Sequence, residues 1–170
     1  FYEACFCILT PQSPAKRCWN AILLLKENDF LNQDISPLNY LSGKIRFHIN
    51  KSKYLIELKQ KWPLIQEKLD EINDARELRE FLVKNVKGYG YKEVSHFLRN
   101  IGYRNLAILD RHILKNLYEL NVINELPKTL TPKKYMEIEK KFLDFSKKVN
   151  IDMDELDLLF WSQETGEVFK

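Results

Sequence analysis

The stretch "NVKGYGYKEVSHFLRNIG", Asn85 to Gly102, holds three of the chain's five glycines. Just upstream, "DARELREFLVKN" repeats apolar residues at helical spacing, with Asp74 as N-cap and Glu77 three residues on, a capping-box pattern. Downstream, "YKEVSHFLRNI" reads as a second helix, ended by Gly102 as its C-cap. Only "VKGYG" lies between them, so residues 74–102 read as a helix-hairpin-helix. Gly88 and Gly90 are expected to give the turn left-handed backbone angles, and their missing side chains would let backbone N–H groups approach a phosphate at a helix N-terminus. Val86, Gly88, Tyr89 and Gly90 are then the candidate DNA-backbone contacts, which position DNA without reading its bases. Taken alone, Gly-x-Gly is better read as an ordinary tight turn between packed helices.

Helical periodicity continues on both sides. "SPAKRCWNAILLLKEN" starts with Ser13 as N-cap and Pro14 at the first helical position, and places Cys18, Ile22 and Leu25 on one face. "NKSKYLIELKQKWPLIQEKLDEI" repeats apolar residues at three and four, with Pro63 marking a break. "TPKKYMEIEKKFLDFSKKV" opens on Thr131 and Pro132 and aligns Tyr135, Ile138, Phe142 and Phe145. "MDELDLLFWSQETG" is a last helix. No sustained alternation or internal repeat appears, so the fold class is all-α. One domain over residues 1–170 is expected, with a junction between two small helical lobes near 125–133, where "ELPKTLTPK" brings two prolines and two threonines together.

At 170 residues, 45% of them hydrophobic, the chain is long enough to bury a real core. Apolar runs such as "AILLL" are far short of the roughly 20 residues that span a bilayer, so a soluble protein without membrane attachment is expected. Cys5, Cys7 and Cys18 are odd in number and lack the later Cys or His pair of a zinc or iron–sulfur site, so neither metal nor cofactor is expected, and a reducing intracellular compartment is. A net charge of +3 permits a nucleic-acid partner without requiring one. The chain opens on Phe1 rather than Met, and a preceding element is expected.

The second half of the constellation decides between turn and active site. Lys92 stands two residues after Gly90 in the first turn of its helix, and eighteen positions later Asp110 stands in "LAILDRHILKNL" between an apolar run and a new helix. Here the sequence resembles the helix-hairpin-helix DNA glycosylase superfamily, whose hallmark is such a Gly-x-Gly-x-Lys hairpin followed by an Asp at this spacing. "CILTPQSPAKRCWNAI" and "SGKIRFHINKSKYLIELK" resemble the family's early segments, so the likeness covers most of the chain. No four C-terminal cysteines are present, which separates it from the iron–sulfur branch, and the ending "FWSQETGEVFK" is most similar to the archaeal second-type 8-oxoguanine DNA glycosylase/AP lyases.

That resemblance implies two helical lobes with a cleft, a monomer acting on damaged double-stranded DNA in the cytoplasm or at the nucleoid, and two catalytic residues. The Lys92 amine would attack C1′ of the damaged nucleotide, expel the base and remain as a Schiff base that permits β-elimination. It must be unprotonated to do so, which the partial positive charge of a helix N-terminus favours. Asp110 would steady the cationic sugar, and it also reads as the cap of "RHILKNLYEL". Base flipping calls for a stacking platform, with Phe47, Trp161 and Phe160 as candidates and Phe160 the most readily given to packing. Gln12 and Ser13 are polar groups of the early segment. The resemblance makes Lys170 a lesion-reading residue through its terminal carboxylate. Two rival readings are a glycosylase for oxidised pyrimidines and a non-enzymatic helix-hairpin-helix binding module, which has no use for a Lys92 and Asp110 pair.

Overall fold

In the computed structural model residues 1–166 are described, and among them every regular element is a helix. In chain order these are α1 (Tyr2–Leu9), α2 (Ala15–Glu27), α3 (Leu38–Leu41), α4 (His48–Glu71), α5 (Ala75–Asn85), α6 (Tyr91–Asn100), α7 (Arg111–Glu119), α8 (Pro132–Val149) and α9 (Met153–Thr165). None is long and apolar enough to cross a membrane. The chain divides into two compact units, Phe1–Phe97 and Leu98 onward, with α6 spanning the division.

The first unit is built around α1, which is apolar all round: residues Ala4 to Leu9 are all buried. A helix without a polar face must be covered on every side. Cys18, Ile22 and Leu25 of α2 and Leu55, Leu58 and Trp62 of α4 join it in the core. The hairpin helices are pinned by polar contacts as well as apolar ones. Buried Arg79 donates to Ser95 Oγ at 3.1 Å and lies 5.5 Å from the Tyr91 ring centroid, while the Tyr91 hydroxyl meets the Glu80 carboxylate at 2.8 and 2.9 Å. Tyr89, 7% exposed, donates its hydroxyl to Ala4 O at 2.9 Å and so ties the turn to α1.

Two local expectations fail in this unit. Ser13 does not cap α2: Pro14 takes that position without a side-chain cap, and the Ser13 hydroxyl instead accepts from Arg46 N and Lys51 Nζ, each at 3.1 Å. Tertiary partners outbid the local amide. Pro63 does not break α4, which runs through it. Its ring lies on the exposed side, where the carbonyl it leaves without a donor can turn to water, while Trp62 and Ile65 beside it are buried.

In the second unit Tyr135, Ile138 and Phe142 of α8 pack with Leu109, Ile113 and Leu117 around α7 and Met153, Leu156 and Phe160 of α9. Thr131 caps α8 through Lys134 N, with Pro132 behind it, and Gly102, at φ 107°, ends α6, both as the sequence implies. The proline-rich segment 125–133 is a connection between α7 and α8 inside this unit, not the boundary, which falls at 97/98. Prolines and threonines there mark a helix start, a local signal that says nothing about where cores separate.

Candidate active site

In the first unit the turn between α5 and α6 carries the candidate nucleophile. Gly88 has φ +87°, and a Cβ added to it would meet Tyr54 Cδ2 at 2.7 Å, so only glycine fits there for two independent reasons. Gly90, expected to be left-handed as well, is not among the positive-φ residues. Its carbonyl accepts from Val94 N at 3.0 Å, which makes it the residue that opens α6, and one left-handed residue is enough to reverse the chain. The Gly90 N–H is already engaged: it donates to Glu93 Oε2 at 3.2 Å. Val86 and Tyr89 are buried, and their amides already donate to Leu82 O at 2.9 Å and Val86 O at 3.3 Å.

Lys92, in the first turn of α6, is about one-third exposed, and its Nζ lies 3.0 Å from Glu93 Oε1. Glu93 thus faces the hairpin amide with one oxygen and the lysine with the other. A second lysine stands in the same neighbourhood. Lys51 of α4 is 4% exposed and donates to Leu9 O and Pro11 O, each at 2.7 Å, and to Ser13 Oγ. All three of its protons are used, and they fasten residues 9–13 in place, including exposed Gln12 in its left-handed conformation at φ 55°. Burial pushes the Lys51 ammonium below the ordinary lysine range, the nearby Cys18 thiol opposes that, and the Lys92 charge adds to it.

Phe47, the N-cap of α4, combines two uncommon features. Its backbone is left-handed, φ 59°, and its ring is 51% exposed with the Arg46 guanidinium 4.9 Å from the centroid. A left-handed aromatic costs on the order of 1–2 kcal/mol, and this one presents its apolar face outward.

In the second unit Asp110 precedes α7 in extended conformation, and its Oδ1 accepts from His112 N at 2.8 Å and Ile113 N at 2.9 Å. The capping role is therefore real. The segment before it is held by α8: Glu139 accepts from Ala107 N at 2.9 Å, and the Tyr135 hydroxyl donates to Ala107 O at 2.5 Å while accepting from Leu109 N at 3.3 Å. Behind Asp110, buried Asp157 of α9 pairs closely with Arg99 through Oδ2, and its Oδ1 has no hydrogen-bond partner among the described residues. Burial pushes the Asp157 carboxyl up to about 7; Arg99 opposes the rise and the Asp110 charge adds to it. Phe160 is 5% exposed and stacks on Phe142 with centroids 6.0 Å apart, so it belongs to the core. Trp161 is half-buried on the same helix, and Lys170 lies outside the described residues.

Glu93, Lys51, Tyr135 and Glu139 escaped the sequence reading. Lys51 had a signal: the buried positions of α4, Leu55, Leu58 and Trp62, extrapolate back to residue 51 at helical spacing. So did Glu93, three residues after the residue that opens its helix.

A family model described as 8-oxoguanine DNA glycosylase matches residues 1–151. A protein of Fusobacterium nucleatum named 8-oxoguanine DNA glycosylase/AP lyase is 51% identical over 99% of this chain and 81% of its own length. One of the same name from Methanocaldococcus jannaschii is 43% identical over 100% and 82%. The likeness is therefore bacterial as well as archaeal. The crystal structure of a Methanocaldococcus jannaschii 8-oxoguanine glycosylase/lyase in complex with a 15mer DNA containing 8-oxoguanine superposes with a TM-score of 0.88 at 40% identity, covering 99% of this chain and 82% of that one. A match of this extent, with a helix-hairpin-helix carrying Lys92 and a helix capped by Asp110, places the chain in the 8-oxoguanine DNA glycosylase family.

Proposed function

We propose that this protein removes 8-oxoguanine from double-stranded DNA and cleaves the strand at the abasic site so formed, acting as an intracellular base-excision enzyme without a resident metal or cofactor. The observation that carries the reading is Lys92 in the first turn of the helix after the Gly88 turn, in a chain akin to glycosylase/lyases along nearly its whole length. The Lys92 amine attacks C1′, the C1′–N9 bond breaks, and the base departs. The sugar then opens into an imine on Nζ, from which β-elimination expels the 3′ phosphate. Asp110 supplies a fixed negative charge for the oxocarbenium character of the first step. Its cap bonds hold Oδ1, so the carboxylate is oriented before substrate arrives.

Within the turn of Val86, Gly88, Tyr89 and Gly90, phosphate contact falls to the N–H of Gly88, the residue that sets the turn, since the other three amides donate to Leu82 O, Val86 O and Glu93 Oε2. Phe47 meets the bases: an exposed ring on strained backbone, with a guanidinium over it, suits stacking in a distorted duplex. Gln12, on the loop that Lys51 holds, and Trp161 and Lys170 are assigned to recognition of the lesion, which differs from guanine by an N7–H donor.

Borohydride trapping on 8-oxoguanine duplex is the direct test. Lys92→Gln is expected to give no adduct while still binding the duplex, and an adduct at wild-type yield would place the nucleophile elsewhere. Deleting Lys170 should slow excision of 8-oxoguanine but leave cleavage at a bare abasic site, which offers no base to read. A panel of defined lesions, including oxidised pyrimidines, fixes the substrate.

A further inference from the structure

We infer that Glu93 is the general base of the lyase step, taking the C2′ proton from the Schiff base formed on Lys92. This rests on the reading of Lys92 as the nucleophile. The argument begins with the two oxygens of one carboxylate. Oε2 accepts from the Gly90 N–H at 3.2 Å and closes the start of α6, a task a neutral glutamine would perform equally well. Oε1 is turned the other way and lies 3.0 Å from Lys92 Nζ. The side chain is only 13% exposed, so its place beside the lysine is set by packing and by the amide bond rather than by a free surface ion pair.

Once Nζ is bonded to C1′, the carbon that must lose a proton, C2′, is two bonds from Nζ. A carboxylate oxygen already in contact with Nζ is within reach of that hydrogen, and its charge pairs with the iminium as it did with the ammonium. The step balances. The C2′–H bond breaks, its proton goes to Oε1 and its electron pair forms the C1′=C2′ enamine. The enamine then returns its electrons to restore the C1′=N⁺ bond as C2′=C3′ forms and the C3′–O bond breaks, releasing the phosphate. Water hydrolyses the conjugated imine and the proton leaves Glu93 to solvent. Asp110, held by two amides of α7, serves the earlier glycosidic step, so the two carboxylates divide the two reactions.

Glu93→Gln separates this from a capping role, because the amide oxygen still accepts from Gly90. Single-turnover rates are compared for release of 8-oxoguanine and for strand cleavage at a preformed abasic site, with borohydride trapping and thermal melting alongside. The expected result is wild-type melting, excision within a few-fold of wild type, trapping intact or enhanced because the imine accumulates, and strand cleavage slower by about 10²-fold or more, the usual worth of a positioned base. Glu93→Asp, which keeps the charge on a shorter arm, should fall between them and gives the same readout if the glutamine variant folds poorly. Cleavage that keeps pace with excision in both variants, or equal loss of both steps, overturns the assignment. Failure of the lysine reading looks different, since Lys92→Gln would then still trap.

Discussion

Two helix starts carry the two proposed catalytic side chains, and they satisfy their amides in different ways. At α7 the acidic side chain accepts from the amides of His112 and Ile113, so the positive end of the helix and its free N–H groups stabilise the anion. At α6 the first turn carries Lys92, and the amide of Gly90 is satisfied by Glu93 instead. One terminus binds the carboxylate of its own cap. The other binds a carboxylate that also lies 3.0 Å from Lys92 Nζ. The same backbone feature is thus met by a carboxylate at each helix start, one the proposed electrostatic stabiliser and the other a neighbour of the proposed nucleophile.

Removing charge at α7 while keeping the cap gives the largest expected effect. Asp110→Asn retains an oxygen for His112 N and Ile113 N, so melting should change little, whereas single-turnover excision should fall about 10²-fold or more, roughly 2.7 kcal/mol at 1.36 per decade. Unchanged excision would reduce Asp110 to a cap and erase the contrast.

The α6 terminus is tested by geometry. Gly88→Ala puts a side chain on a backbone with φ +87° and against the Tyr54 ring, and should cost about 2–3 kcal/mol in urea denaturation with loss of duplex binding. Gly90→Ala meets only the flexible end of Glu93, at 3.0 Å, and should cost well under 1 kcal/mol, roughly that of a mild surface change. Equal costs would mean that the turn does not depend on one glycine.

Next comes the support of the second terminus. Tyr135→Phe removes the hydroxyl that serves Ala107 O and Leu109 N, leaving both buried groups short of a partner, and should destabilise by about 1–2 kcal/mol. Excision should weaken with it, because the segment leading to Asp110 loses its anchor. Stability lost with the excision rate intact would show that Asp110 is held by its cap alone.

The last test is one of pH. Asp157 has a folded-state value near 7, above its ordinary 3.8, because burial disfavours its charge. The native state therefore holds an extra proton between those values, so this group's contribution is fully present below about pH 4 and is lost as pH rises through 7. The slope cannot exceed one proton, about 1.4 kcal/mol per pH unit. In urea titrations Asp157→Asn should gain on the wild type between pH 5 and pH 8 and then level off; a difference that does not vary with pH would mean that Arg99 keeps the carboxyl ionised throughout.

Much of this was legible from the chain alone, and for one reason. Caps at Asp74, Asp110 and Thr131, the C-cap at Gly102 and the apolar faces of α2 and α8 are settled within a few residues of the signal, so their partners are written beside them. The Gly88 turn could be picked out on the same grounds, and Lys92 and Asp110 as a pair through the resemblance to a known family. What the tertiary structure decided are the contacts whose partners lie far along the chain. Ser13 reads as a cap until Arg46 and Lys51, 33 and 38 positions away, claim its hydroxyl. Lys51 reads as one solvated lysine among many until burial against Leu9 and Pro11 turns it into the fastener of a loop. Pro63 reads as a break until packing on either side of it outweighs one lost hydrogen bond. Tyr135 and Glu139 look like ordinary members of a helical face, yet they satisfy the backbone ahead of Asp110. Local sequence determines which groups are available; burial, which desolvates them and forces each to find a partner, determines which one it takes.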